Sequence, residues 1–218
     1  MSRVLNELDA RNLLLDYGIP MVRSSVVKSE SEISEYSKDM KFPIVMKILS
    51  ADILHKTEAK CVFVGVSKDE VLSIYQKILV NARAYNENAK IDGVLMQEMA
   101  SSGLEVIMGM KKDPQFGPVI MVGMGGIYVE VFKDVALRLL PLDRDEIVNM
   151  INETKLNRII KGARGTKYDI DTLTDSLEKM TRLVEENPSI EEIDVNPLFL
   201  YEEGHGAKGV DALIKISD

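Results

Sequence analysis

The chain has no tryptophan, a single cysteine at Cys61 and two histidines, His55 and His205. One cysteine excludes an internal disulfide and is expected of a reducing, cytoplasmic setting. With two histidines, any imidazole chemistry has only two candidates. No stretch of about 18 apolar residues occurs, so no membrane-spanning helix is expected. Acidic residues outnumber basic ones 35 to 27, for a formal net charge of −8. Lys and Arg form no dense block, whereas a reader of phosphate backbones normally shows a basic stripe, so no nucleic-acid partner is expected. The opening MSRVLNELDARNLLLDYG threads acids through its apolar positions and has no small-residue cleavage site, unlike a signal peptide. What is present is ordinary for a globular protein: 218 residues, 45% apolar and 28% charged, enough to enclose a substantial core.

Apolar spacing predicts a helix over 3–17 (Val4, Leu5, Leu8, Leu14, Leu15), ended by Gly18 and Pro20. A short strand is expected at Val26-Val27, and a helix through Ile33, Tyr36 and Met40 that stops before Pro43. Strands 43–49 and 61–66 bracket a polar segment, 50–60. Residues 68–86 read as a helix, with Val71, Tyr75, Ile78, Ala82 and Tyr85 on one face. Further strands are expected near 92–99, 104–111, 118–123, 127–132 and 136–141. Helices follow at 143–152 and through Leu173, Leu177, Met180 and Val184. Two strands, 191–200 and 208–216, close the chain around a turn at 202–206. There is no internal repeat and no regular βαβ alternation, so the expected class is α+β, with two sheets meeting around a cleft. Ala100-Ser101-Ser102-Gly103 reads as a hinge between two lobes.

Within strand 44–49, Val45, Lys47 and Leu49 share one face and Ile44, Met46 and Ile48 the other. A lysine in so apolar a strand needs its desolvation offset, by a nucleotide phosphate, by an internal ion pair or by reaching solvent. His55 follows among Asp52, Lys56, Thr57 and Glu58, where a neutral imidazole is a competent nucleophile toward phosphorus. His205, between two glycines, reads as an exposed turn residue. If 202–206 closes a hairpin, paired residues have numbers summing to about 407 or 408, which puts Asn196 opposite Asp211 or its neighbour. Asp194 shares the face of Asn196, so three oxygen-bearing side chains converge there. They form either a hard-oxygen site suited to Mg²⁺ or a hydrogen-bonded cluster beside the turn. The glycine-rich GMGGIYVEVF at 123–132 lacks the Gly-Lys-Ser/Thr ending of a P-loop and marks only a close backbone approach. Glu98 and Glu105 flank the hinge.

Four segments together resemble one family: LNELDARNLLLDYGIP, FPIVMKILSADILHKTEA, GVLMQEMASSGLEVIMGMKKDPQFGPVIMVGMGGIYVEVFKDVALRLLPL and EIDVNPLFLYEEGHGAKGVDALI. The chain is similar to the ATP-grasp β subunit of the ADP-forming acyl-CoA (acetyl-CoA) synthetases, relatives of the succinyl-CoA synthetase β subunit. The resemblance implies a single ATP-grasp domain over 1–218, with lobes near 20–98 and 99–218, helix 3–17 attached, and nucleotide bound between two sheets. It implies that Lys47 holds the phosphates of ATP or ADP, that Gln97, Glu98 and Met99 form the hinge that meets adenine, and that Glu105 contacts ribose. It also implies that Asn196 and Asp211 ligate Mg²⁺, and that His55 is a transiently phosphorylated histidine of a mobile loop. Arg138 and Arg164 are further candidates for stabilising phosphoryl charge. In this scheme a partner α subunit makes an acyl phosphate from acyl-CoA and phosphate. Its phosphohistidine passes the phosphoryl group to His55, and ADP accepts it. No G-x-G-x-x-G fingerprint of a CoA-binding Rossmann module occurs, so an α₂β₂ assembly with a CoA-binding α subunit is expected. Where the family carries a Gly-Gly pair after this histidine, the chain has Lys60-Cys61. Two bulkier residues are expected to stiffen the loop or restrict its approach to nucleotide, unless Lys60 adds a phosphate contact. A nucleotide-binding regulatory or scaffolding subunit without phosphoryl transfer, and a standalone ATP-grasp ligase, are the alternatives.

Overall fold

The structure is a computed structural model, and it describes residues 2–53, 55–126, 134–163 and 165–217. These divide into two compact units, one of Val22–Met99 and one of Met1–Met21 with Ala100–Asp218. The strand expected at 127–132 and the candidate Arg164 lie outside the described residues. Among the described residues, no helix is long and apolar enough to cross a membrane.

The unit Val22–Met99 is an antiparallel sheet of β2 (Ser24–Val27), β3 (Ile44–Leu49), β4 (Val62–Val66) and β5 (Gly93–Glu98), in the order β2-β5-β3-β4. Helices α2 (Glu30–Tyr36) and α3 (Val71–Tyr85) cover one face. The predicted period is the one that buries α3: Val71, Tyr75, Ile78 and Ala82 are all in the core, against Ile44, Met46, Ile48, Val94 and Met96 of the sheet. The first turn of the predicted helix is 3₁₀, Lys68–Glu70, entered through a capping box in which Ser67 and Glu70 satisfy each other's backbone N–H groups.

In the other unit, seven described strands form an antiparallel sheet in the order β1-β11-β9-β6-β7-β8, with β10 also on β9. They are β1 (Ser2–Val4), β6 (Leu104–Asp113), β7 (Gly117–Met124), β8 (Val135–Leu139), β9 (Ile190–Leu200), β10 (Ala207–Gly209) and β11 (Ala212–Ser217). Helices α1 (Glu7–Asp16), α4 (Arg144–Glu153), α5 (Leu156–Ile160) and α6 (Ile170–Glu186) belong to this unit. The α6 positions Leu173, Leu177, Met180 and Val184 all enter its core. The N-terminus corrects the predicted helix 3–17. Residues 2–4 are a strand paired with 215–217, and the helix begins only after Asn6, whose side chain accepts the Asp9 N–H. A pairing partner two hundred residues away leaves no trace in local periodicity. The predicted strand 208–216 is likewise broken into β10 and β11 at Val210-Asp211.

One carboxylate joins a helix start to the C-terminal hairpin. Asp169, buried at 8% exposure, accepts N–H groups from Thr172 at 3.0 Å, Gly204 at 3.1 Å and Gly206 at 2.9 Å. It therefore caps α6 and holds the turn 202–206 at once. Burial pushes its carboxyl up, but the bonds from Thr172, Gly206 and Gly204 outweigh that and leave it below the ordinary aspartate value. Asp169→Ala is expected to destabilise the chain by about 1–3 kcal/mol in urea unfolding. Because the folded-state value is depressed, the Asp169 contribution is full above the ordinary aspartate range and disappears as pH falls through the folded value. The stability gap between wild type and variant should therefore narrow on acidification. A gap independent of pH would contradict the ionised cap.

Candidate functional site

In the Val22–Met99 unit, Lys47 pairs with Leu95 of β5 and Val62 of β4. The neighbours Met46 and Ile48 enter the helix-covered core, so alternation places Lys47 on the opposite face. Gln97 shares that face, two residues along β5 from Leu95. Both polar residues are buried, Lys47 at 8% and Gln97 at 1% exposure. At the end of β5, the Glu98 carboxylate accepts the Lys41 N–H at 2.9 Å, so this side chain braces the approach to β3. Met99 follows with its side chain exposed.

The segment carrying His55 is a single helical turn. The Ala59 N–H reaches the His55 carbonyl at 3.0 Å, the Lys60 N–H reaches Thr57 at 3.0 Å and the Cys61 N–H reaches Lys56 at 2.8 Å. The last two bonds are those of a Schellman motif, with Lys60 in the left-handed position that such a motif requires. Its φ is +53°, the one positive value at a non-glycine residue among those described. The Lys60 carbonyl in turn accepts Asn81 Nδ2 at 2.6 Å from α3. Ile53, Ala59 and Cys61 anchor the turn in the core. Before the turn, the Asp52 carboxylate accepts the Lys90 N–H at 2.6 Å. His55 itself points outward, its side chain 70% exposed, with Nδ1 3.7 Å from Glu58 Oε1.

Lys60 adopts the backbone conformation glycine favours, and Cys61 packs in the core with burial raising its thiol pKa. The cost of a Cβ in that conformation is about 1–2 kcal/mol. Since glycine also gains freedom in the unfolded chain, Lys60→Gly is expected to raise unfolding stability by up to about 1 kcal/mol. Lys60→Val should lower it by more than that. A Lys60→Gly variant less stable than wild type would rule out the left-handed turn.

In the other unit the hairpin register is the predicted one. Ala207 pairs with Leu200 and Lys215 with Glu192, each pair summing to 407. Asn196 thus stands opposite Asp211, and the Asn196 N–H meets the Asp211 carbonyl at 3.3 Å. Against β6 the register shifts by one across Ile107, between Val106–Leu198 and Met108–Val195. The buried positions of β9 shift with it, from Ile193 and Val195 to Leu198 and Leu200, as a bulge at Asn196-Pro197 demands. Asn196 and Asp211 are both exposed. Asp194 lies on the face away from core residues Ile193 and Val195, and its Oδ1 is buried without a hydrogen-bond partner among the described residues. Burial, then Glu192, raises the Asp194 carboxyl above its ordinary value. Among the described residues no cluster of three or more His, Cys, Asp or Glu suits a metal. An Asn–Asp pair of oxygen donors with an orphaned carboxylate oxygen nearby fits Mg²⁺, which keeps waters and shares ligands with phosphates.

Glu105 and the glycine run belong together, a link that sequence spacing did not reveal. The Gly125 N–H meets the Glu105 carbonyl at 2.8 Å. A Cβ on Gly126, whose φ is +66°, would overlap the Glu105 carboxylate. Gly123 is bare because the Asp134 carbonyl occupies the space of its Cβ. Arg138 is engaged by Glu146 and Glu153 of α4, so its charge is already matched there. Sequence reasoning also missed Arg11. This residue is fully buried on α1 and donates from Nη1 to the Val210 carbonyl at 2.6 Å. The spacing of Glu7, Ala10, Arg11 and Leu14 at turn intervals was the available signal.

The family model of the ATP-grasp domain matches residues 1–216. The β subunit of acetate–CoA ligase [ADP-forming] I from Pyrococcus furiosus is 42% identical over 213 residues, covering 97% of this chain and 91% of that one. The 4-hydroxybutyrate–CoA ligase [ADP-forming] of Nitrosopumilus maritimus is 41% identical across 96% of this chain, which spans 30% of that longer protein. Among solved structures, a dinucleotide-forming acetyl-coenzyme A synthetase 1 of Ca. Korarchaeum cryptofilum superposes with a TM-score of 0.84 at 36% identity, over 98% of this chain and 93% of that one. That structure holds coenzyme A and Mg-AMPPCP, with its phosphohistidine segment pointing towards the nucleotide binding site.

Proposed function

The chain belongs to the ATP-grasp family of ADP-forming acetate–CoA ligase β subunits, and we propose that it takes a phosphoryl group on His55 and delivers it to ADP. The observation that carries this reading is the exposed imidazole on an anchored turn: its side chain is 70% exposed while Ile53, Ala59 and Cys61 seat the backbone beneath it. An imidazole that must meet a second protein needs such accessibility, and a buried structural histidine does not.

The sequence of bond changes is conservative. A partner α subunit that binds CoA converts acyl-CoA and phosphate into acyl phosphate and free CoA. Its own histidine takes the phosphoryl group and the acid leaves. His55 forms a new N–P bond as the partner's N–P bond breaks, and a β-phosphate oxygen of ADP then forms the terminal P–O bond of ATP as His55 is released neutral. Lys47 steadies the nucleotide phosphates, Gln97, Glu98 and Met99 meet adenine, and Glu105, framed by Gly125 and Gly126, holds ribose. Asn196 and Asp211 would hold Mg²⁺, which when bound offsets the charge of the phosphate oxygens. We place the assembly, an α₂β₂ heterotetramer, in the cytoplasm, in keeping with the free thiol of Cys61. In the direction of acid activation the same steps run backwards.

Incubating the chain with radiolabelled ATP and Mg²⁺ should deposit a base-stable, acid-labile label that disappears in His55→Ala, while Lys47→Ala should weaken nucleotide binding tenfold or more. Label retained by His55→Ala would refute the relay. Absence of label from the wild type, with nucleotide binding intact and the α subunit present, would favour a regulatory subunit. Acyl-CoA formation by the purified chain alone would instead indicate a standalone ligase.

A further inference from the structure

We infer that Arg11 is a positioning residue for Asp211, fixing the step between β10 and β11 so that this carboxylate faces the cation beside Asn196. The inference rests on the proposed assignment of Asn196 and Asp211 to Mg²⁺ and adds a residue from the far end of the chain to it. Strand β10 ends at Gly209 and β11 begins at Ala212. Across the gap the ladder is thin: the Val210 N–H meets the Pro197 carbonyl at 3.0 Å and the Asn196 N–H meets Asp211 at 3.3 Å. The Val210 carbonyl receives the Arg11 guanidinium, at 2.6 Å, across 199 residues of sequence.

A fully buried guanidinium is costly unless it is matched, and it stays charged under all conditions a protein meets. Burial pulls its pKa down, and the carboxylates of Glu7 and Asp211 offset that. Glu7 stands one helical turn before Arg11, so part of the buried charge is offset from the same helix. A planar fork can bond a carbonyl and face two carboxylates together, which a lysine ammonium does less well. Groups that orient a metal ligand commonly change metal affinity by about 10–100-fold when removed.

Charge and position make opposite predictions. As a charge alone, Arg11 repels a divalent cation, and its loss would tighten binding. As a brace on Val210-Asp211, its loss would loosen it. Mn²⁺ affinity of the full chain in saturating ADP, read from the EPR signal of free Mn²⁺, separates the two. Arg11→Met is expected to weaken Mn²⁺ roughly tenfold, with Arg11→Lys recovering part of the loss. Leu14→Ala, which trims the same helix in the core, should lower the Tm without moving the Mn²⁺ affinity. Unchanged or tighter Mn²⁺ binding in Arg11→Met, or an equal loss in Leu14→Ala, would overturn the proposal. If Arg11→Met does not fold, Arg11→Lys carries the same test as a weakening of a few fold, and its absence overturns the proposal equally. Asp211→Asn is the control for the site itself. A large loss there with a silent Arg11→Met rejects Arg11 alone, whereas a silent Asp211→Asn rejects the metal assignment and Arg11 with it.

Discussion

Strand β9 is hydrogen-bonded along both edges, to β6 on one side and to β10 and β11 on the other, and its register decides what its unit presents. From Leu200–Ala207 to Glu192–Lys215 the hairpin pairing is constant. A slip of one residue would turn Ile193 and Val195 outward and Asp194 into the core. The bulge against β6 is absorbed at Asn196-Pro197, and the opposite strands break at the matching place, Val210-Asp211. Irregularity on both sides of β9 thus falls at Asn196 and Asp211, the two residues proposed to hold Mg²⁺. The regular ladder on either side keeps them there.

The second constraint is the cost of charge away from water. Lys47, Arg11 and Asp169 are each less than a tenth exposed, and the fold treats them differently. Asp169 is satisfied by backbone N–H groups and acts as a joint between helix and hairpin. Arg11 donates to the Val210 carbonyl, and Glu7 and Asp211 offset part of the cost of burying its charge. Lys47 shares its sheet face with Leu49, Leu95 and Gln97, at the position proposed to meet the nucleotide phosphates.

Much of this was legible in the sequence because it depends on near neighbours. The α3 and α6 stripes follow from helical spacing. The Asn196–Asp211 pairing follows from a short turn and two alternating strands, and the family's segments carry the fold. What could not be read depends on distant or conformational facts. Val4 belongs to a strand because Lys215 is its partner. Arg11 looks like one more polar residue on an amphipathic helix until Val210 is beside it. The glycines at 125 and 126 gain their meaning from Glu105, some twenty positions earlier. At Lys60, residue type argued against the turn while backbone geometry favoured it, and side-chain identity alone offered no way to weigh the two.

That turn bears on how the segment drifts over evolutionary time. Its shape is held by three main-chain bonds and the Asn81 bond to a carbonyl, none of which specifies a side chain at position 60. Selection there acts on a tolerated torsion and, at position 61, on a volume small enough for the core. Substitutions meeting those two conditions are compatible with the turn that carries the histidine five residues earlier. None of the bonds that hold the turn requires a glycine at position 60 or 61.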